Sequence, residues 1–206
     1  MKKEFNHDNL SYTSPVANII ATVRAITPMP DTDIELLVSI LEKRTIKKND
    51  FLLKEGDVAE NVFFLIEGFF RMYYIDFNGN EINYRFTRKG NFLADFQSLL
   101  TQKASQFYWQ ALQDSELFVL PYHKIQDAYA SSAAWSRFGR LMAERVYLQL
   151  NQRVELLLFK TPEERYLHIL ETEPQLLSEI SQFHLASYLG VKPESLSRLR
   201  KRIAKK

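Results

Sequence analysis

The stretch Asn61-Val62-Phe63-Phe64-Leu65-Ile66-Glu67-Gly68-Phe69-Phe70-Arg71-Met72-Tyr73-Tyr74-Ile75-Asp76-Phe77-Asn78-Gly79 contains two runs of aromatic and aliphatic residues, each followed by a glycine within a few positions. Such residues fit a pleated, half-buried surface. The chain has six glycines, and Gly56, Gly68, Gly79 and Gly90 stand 12, 11 and 11 residues apart. Turn signals at that spacing predict an antiparallel sandwich or barrel. Ile82-Asn83-Tyr84-Arg85-Phe86 supplies a third strand. Asn78-Gly79 reads as a tight hairpin whose two central residues take positive φ. No proline interrupts residues 31 to 120, as a ladder of paired backbone donors requires. Residues from about 44 to 121 are therefore read as one β-roll.

On the N-terminal side, Asp31 to Leu41 reads as a short amphipathic helix behind an acidic start, and Val16 to Ile26 as another, ended by Pro28 and Pro30. On the C-terminal side the period changes. Lys124 to about Phe159 holds no proline and one glycine, Gly139, which predicts a single helix of roughly 35 residues, about 50 Å long. Trp135, Phe138, Leu141, Met142, Val146, Leu148 and Leu150, then Leu156, Leu157 and Leu158, form a stripe wider than a coiled-coil seam. One side is expected to meet a second copy while another packs on the β-roll. Thr161-Pro162-Glu163-Glu164 has the spacing of a capping box with proline in the first turn, and opens a new unit.

Gln182 to Leu199 has the pattern of a helix-turn-helix. Ala186 lets two helices cross closely, and Gly190, four residues on, supplies a left-handed turn. Leu185, Leu189, Val191, Leu196 and Leu199 fill the core between them, and Pro193 suits the first turn of the second helix. On that helix Glu194, Ser195 and Arg198 share a face away from Leu196 and Leu199. Arginine can bond a guanine edge twice, and glutamate can accept from a cytosine amine. Lys192 and Ser197 flank this reading face, while Arg200, Lys201, Arg202 and Lys205 suit phosphates. Residues 192–206 carry seven basic residues against Glu194, a charge of +6 that leaves −4 on residues 1–191. A basic end on a slightly acidic body is a footprint for a polyanion. A solvated end of a lysine-rich helix is the plainer reading of the same charges.

Composition narrows the alternatives. There is no cysteine among 206 residues, which excludes disulfides, cysteine-ligated zinc or iron–sulfur sites and a thiol nucleophile. His7, His123, His168 and His184 are scattered, so each is expected on a surface or helix face and none as a haem ligand. The start, Met1 to Asp8, has no apolar run of a signal peptide, and no stretch has the length of a membrane span. There is no phosphate loop ending in Lys-Ser/Thr, no His-Glu-x-x-His and no Gly-x-Ser-x-Gly, so no enzyme, metal or cofactor is expected.

With these residues in view, the chain resembles the Crp/Fnr superfamily of dimeric bacterial transcription regulators over nearly its whole length from about Asp31. The resemblance is carried by Leu52-Leu53-Lys54-Glu55-Gly56-Asp57, by Val62 to Gly68, by Asp76-Phe77-Asn78-Gly79-Asn80-Glu81 and by Gly90-Asn91-Phe92, with the long helix and helix-turn-helix in the family's order. It also implies kinship with cyclic-nucleotide-binding domains. The nucleotide signature is missing, however. Where the resemblance implies Gly-Glu and then Arg-Ser, this chain has Ala94-Asp95 and Ser105-Gln106, and the base-facing positions of the long helix are Leu150 and Asn151. A buried phosphate without a cation is costly, and Asp95 would repel it. Neither cyclic AMP nor cyclic GMP is expected to bind. Phe92, Tyr108 and Trp109 are expected to help fill the space, although another small-molecule effector stays open.

The expected fold is α+β. It comprises an antiparallel, jelly-roll-like β-roll with N-terminal helices (1–123), a long dimerisation helix (124–159) and an all-α helix-turn-helix unit (160–206). The chain stops at Lys206, leaving no room for a β wing. The function expected is sequence-specific binding of double-stranded DNA by a cytoplasmic homodimer on a pseudo-palindromic site. RNA polymerase is a further partner the resemblance allows. The alternative is a ligand-sensing or protein-interaction module whose terminal helices bind a protein.

Overall fold

In the computed structural model, which describes residues 15–204, the glycine-bounded apolar runs are strands of two facing sheets. Helices α1 (Pro15–Ile26) and α2 (Asp31–Ile40) come first, then β1 (Glu42–Ile46), β2 (Phe51–Leu53), β3 (Asn61–Glu67), β4 (Phe69–Ile75), β5 (Glu81–Arg88) and β6 (Phe92–Leu93). Next come α3 (Phe96–Thr101), β7 (Tyr108–Ala111) and β8 (Ser115–Pro121). The rest of the described chain is helical: α4 (Tyr122–Ser131), α5 (Ala133–Phe159), α6 (Pro162–Thr172), α7 (Leu176–Glu179), α8 (Gln182–Leu189) and α9 (Pro193–Ile203). Residues 1–14, where the absence of a signal peptide was read, and Lys205 and Lys206 lie outside the described residues.

One sheet has the order β1-β8-β3-β6 and the other β2-β7-β4-β5, with antiparallel neighbours throughout. Leu65, Leu93 and Leu117 of the first meet Phe70, Met72 and Trp109 of the second in a shared core. The first sheet is covered on its other face as well. Phe64, Phe118 and Leu120 pack there against Ile19, Val23, Leu37, Ile125 and Trp135. Burial on both sides explains why β3 is apolar at consecutive positions instead of alternating. Gly68 is the corner where the chain leaves one sheet for the other. Its φ is +114°, and a Cβ there would sit 2.0 Å from Ser115 Oγ and 2.9 Å from Ser115 Cα. No other residue fits that corner without shifting β8.

Two local expectations are corrected. The β4–β5 connection is not a turn with two positive-φ residues, since only Gly79, at +83°, is left-handed there. Gly79 N donates to Asp76 O at 2.9 Å and Asp76 N to Asn80 O at 2.9 Å, the geometry of a type I turn followed by a left-handed glycine. Asp76 Oδ1 also accepts from the backbone of Asn78 and Asn80, at 2.9 Å each, so the loop is held by its own aspartate.

The expected continuous helix over 124–159 is broken at Ser132, which is extended at φ −139°, ψ 126°. Its hydroxyl accepts from Ala134 N and Trp135 N and so caps α5. α4 is thereby folded back along α5, where the Tyr129 ring crosses Gly139. A Cβ at Gly139 would lie 2.6 Å from that ring. The glycine read as an interruption within one helix is the crossing point of two.

The C-terminal helices have a third core of Tyr166, Ile169, Leu176, Leu185, Leu189, Leu196 and Leu199, which Phe69 of β4 joins. The α6 capping box is as read, with Thr161 and Glu164 bonding reciprocally and Pro162 in the first turn. Among the described residues no helix is long and apolar enough to cross a membrane.

Candidate nucleic-acid interface

Helices α8 and α9 meet as the pattern predicts. Ser181 Oγ accepts from His184 N and caps α8, and Gly190 ends it at φ +68°. Ala186 is fully buried at the crossing, and its carbonyl accepts from Val191 N at 3.0 Å. Pro193 begins α9, whose Leu196 and Leu199 turn inward. Lys192, Glu194, Ser195, Arg198, Lys201 and Arg202 are exposed, whereas Ser197 and Arg200 are partly covered. Arg198 Nε donates back to the backbone carbonyl of Glu194 at 3.4 Å, which lays the arginine along the first turn of α9. Arg202 is engaged by Glu163 of α6 in an ion pair, whereas Lys192 and Lys201 are in no ion pair among the described residues.

The other side of α8 rests on the outer face of the second sheet, a relationship that sequence reading missed. Ser187 Oγ accepts from Asn83 N at 2.8 Å and donates to Glu81 O at 2.7 Å. Asn83 Nδ2 donates to His184 O at 3.3 Å. Beneath them lies Arg71, 5% exposed although it is in mid-strand. Its guanidinium donates twice to Gln110 Oε1, at 2.9 and 2.6 Å, pairs with Glu81 at 2.6 Å and stacks over the Tyr73 ring. His184 is thus not a surface residue but a half-buried one facing Arg71 and Asn83. Burial, and then the Arg71 charge, holds its pKa below the ordinary histidine value, with Glu81 partly opposing. The signal available in the sequence was Arg71, the charged residue in the otherwise apolar and aromatic β4.

Further along β5, Arg88 bridges Glu179 at 2.6 Å and Glu173 at 3.1 Å, tying the sheet to α6 and α7. Arg153 of α5 stacks on the Tyr188 ring and donates to Tyr188 O, tying α5 to α8. Arg165 donates to Leu157 O and Lys160 O, where α5 ends without enough donors of its own.

At the positions matching a nucleotide-phosphate site, the chain satisfies itself. Asp95 is buried, accepts from Ser98 N at 3.1 Å as the cap of α3, and accepts from Ser105 Oγ at 2.6 Å. Ser105 Oγ accepts in turn from Phe107 N at 2.9 Å. Both carboxylate oxygens are therefore used by neighbouring donors. Gln106 is exposed, and Asn151 bonds Glu155 at 2.7 Å on the surface of α5. Ala94 and Leu150 line a separate cleft that Asp95 and Ser105 do not. Of the aromatics expected to fill the space, Trp109 is in the core between the sheets and Phe92 packs on Phe64 and Phe138. Tyr108 is elsewhere, stacked on Tyr73 at the outer face. Among the described residues no group of histidine, aspartate and glutamate could hold a metal ion.

Comparison with known proteins bears on the fold. Residues 43–132 match the cyclic nucleotide-binding domain family. No curated protein matches the sequence. Among solved structures, FixK2 from Bradyrhizobium japonicum is similar with a TM-score of 0.69 and 18% identity, over 81% of this chain and 85% of that one. CLP, the c-di-GMP responsive regulator of Xanthomonas campestris, has a TM-score of 0.66 and 19% identity, over 85% and 92%. A protein from Eubacterium rectale assigned as a Crp/Fnr-family transcriptional regulator has a TM-score of 0.68 and 17% identity, over 87% and 88%. Residues 43–132 are thus similar to a cyclic nucleotide-binding domain, and the chain is similar in fold to FixK2 and to the Eubacterium rectale protein.

Proposed function

We propose that the chain is a sequence-specific, DNA-binding transcription regulator of Crp/Fnr type that works as a homodimer and is not controlled by cyclic AMP or cyclic GMP. The observation that carries this reading is the α8–Gly190–α9 unit, with Glu194, Ser195 and Arg198 exposed together on its second helix. Such a helix enters a major groove with its first turns against base edges. Lys192, Ser197, Arg200, Lys201 and Arg202 would position it on phosphates, Arg202 after exchanging Glu163 for one.

Three units divide the work: residues 1–123 as the sensor-like β-roll, 124–159 as the dimerisation segment, and 160–206 as the DNA-binding unit. Dimerisation is supported by the exposed apolar line Tyr147, Leu150, Val154 and Leu157 on α5. Its spacing of three, four and three residues is that of a two-stranded seam. Two-fold symmetry would put the half-sites about one helical turn apart, roughly 34 Å. The absence of cyclic-nucleotide control is supported by the Asp95–Ser105 bond, which occupies the donors a phosphate would need. RNA polymerase is the partner expected of an activator, a small-molecule effector is compatible with the fold, and no catalytic role is proposed. A cytoplasmic location suits a regulator of this kind.

The test is binding of refolded, effector-free protein to a pool of genomic DNA fragments across a salt series. Selection of a few pseudo-palindromic fragments, with affinity falling steeply as salt rises, is the expected result. Affinity that is equal for all fragments, or nearly independent of salt, would defeat the reading.

A further inference from the structure

A cleft of about 860 Å³ runs between α5 and the β-roll and reaches α8. Along α5 it is lined at Trp135, Phe138, Met142, Val146, Gln149 and Arg153, three or four residues apart. One helix face therefore supplies a wall about 27 Å long. That wall has two halves. Its first four residues are apolar and are faced by Phe92, Ile125 and Tyr129, while its last two are polar and are faced by Arg85 and Tyr188.

The polar end carries uncompensated charge. Arg85 donates to Gln149 Oε1, and Arg153 to the Tyr188 carbonyl, so both spend donors on neutral oxygens. Neither they nor Arg145 on the same wall is ion-paired with a carboxylate among the described residues. The acid at this end, Glu173, is already held by Arg88. Burial lowers the pKa of Arg85 and of Arg153, and Arg145 and Arg165 respectively add like-charge repulsion. Half-buried guanidinium groups without an anion are an unfavourable arrangement that an acidic ligand would relieve. A guanidinium fork suits a carboxylate in particular.

We propose that this cleft binds one long-chain carboxylic acid per chain, with its carboxylate at Arg85 and Arg153 and its hydrocarbon along Trp135, Phe138, Met142 and Val146. The elongated shape, apolar at one end and cationic at the other, matches a linear amphiphilic acid. The site is separate from Asp95 and Ser105, which do not line it. A carboxylate at Arg153 competes with the Tyr188 carbonyl for the link between α5 and α8, so occupancy would alter how the helix-turn-helix is held. That consequence rests on the DNA-binding reading, whereas the binding itself does not and is measured without DNA.

The experiment titrates the full-length, delipidated protein with tetradecanoate, tetradecanol and tetradecyltrimethylammonium, each below its micelle concentration. Tryptophan fluorescence and calorimetry report binding. The acid is expected to bind once per chain, the alcohol at least tenfold more weakly, and the ammonium compound not at all. Arg85→Gln should weaken the acid about tenfold and leave the alcohol unchanged. Val146→Trp, which fills the apolar half, should abolish both; if that variant does not fold, the Arg85→Gln comparison decides alone. Equal binding of acid and alcohol, no effect of Arg85→Gln, or no binding of the acid would each overturn the proposal. So would loss of binding on Val154→Glu, because the amphiphile would then be coating the exposed seam of α5.

Discussion

His184 Nδ1 lies 3.3 Å from Arg71 Nη1, across the junction between α8 and the β-roll. The neutral ring accepts there, with Asn83 Nδ2 a second donor at 3.4 Å, whereas a protonated ring would place two cations against each other. Other charges facing the ring are few, with Glu81 the acid that opposes this effect. The folded pKa of His184 is below 6.5, so the unfolded or undocked chain takes up its proton first as pH falls. The docking contribution is complete above about pH 6.5 and declines as pH drops through that value toward the folded pKa. Protection of the α8 amides, taken relative to the intrinsic exchange rate at each pH, should therefore decline as pH falls below about 6.5. His184→Gln keeps an acceptor but no titrating group, and should flatten that dependence. An unchanged profile would remove His184 from the account.

Arg198 and Lys201 are both exposed on α9, but they are assigned different work. Arg198→Ala should cost about 1–3 kcal/mol on the preferred site and relax specificity at one base pair per half-site. Lys201→Ala should weaken all sequences alike and shallow the salt dependence by about one unit per chain. Selection from randomised DNA at two salt concentrations separates the two behaviours. Uniform loss with Arg198→Ala would make it a phosphate contact.

Gly68 and Gly190 both have positive φ, at +114° and +68°, but only one is sterically closed. At Gly190 the nearest heavy atom to an added Cβ is Leu157 Cδ2 at 3.7 Å, an ordinary contact. Gly190→Ala should therefore cost roughly 1–2 kcal/mol, the ordinary penalty for a left-handed L-residue. Gly68→Ala adds a collision with Ser115 to backbone strain of about 1–3 kcal/mol and should exceed the Gly190 loss clearly. Denaturant midpoints of the two variants give the comparison. Equal losses would mean that β8 yields easily at Ser115.

Val154 and Leu148 are both exposed on α5, at 50% and 65%, and only Val154 is in line with Tyr147, Leu150 and Leu157. A buried carboxylate in a two-stranded seam is strongly unfavourable. Val154→Glu should shift sedimentation from dimer to monomer, whereas Leu148→Glu should leave it unchanged. If Leu148→Glu dissociates the dimer and Val154→Glu does not, the seam lies on the other line of the helix.

What was legible in the sequence was whatever its local chemistry dictates. Gly56, Gly68, Gly79 and Gly90 mark real turns, Thr161 to Glu164 is a capping box, and Ala186, Gly190 and Pro193 build the turn between α8 and α9. The misreadings have a different origin. Ser132 is unremarkable within a helical stretch, and it becomes a cap only because Tyr129 folds onto Gly139. Asn78 keeps a negative φ because Asp76 organises the loop from outside the two central positions. The contact between α8 and β5 joins residues more than one hundred positions apart, such as Asn83 with His184 and Ser187, and no local pattern announces it. For the site, the exposed side chains of α9 could be named from helical periodicity. The Arg202–Glu163 pair and the charged end of the α5 cleft required the tertiary arrangement.

Strand β5 is an end strand, with β4 its one neighbour among the described strands. Its far edge would ordinarily offer free amide and carbonyl groups, yet Ser187 occupies those of Asn83 and Glu81. The helix that presents the reading element thus also serves as a guard on the sheet, hiding a template on which a foreign strand could assemble. Any condition that swings this unit away, whether for regulation or by proteolysis near Lys160, uncovers that template. Conformational freedom of the helix-turn-helix end is therefore bounded by the colloidal stability of the rest of the chain.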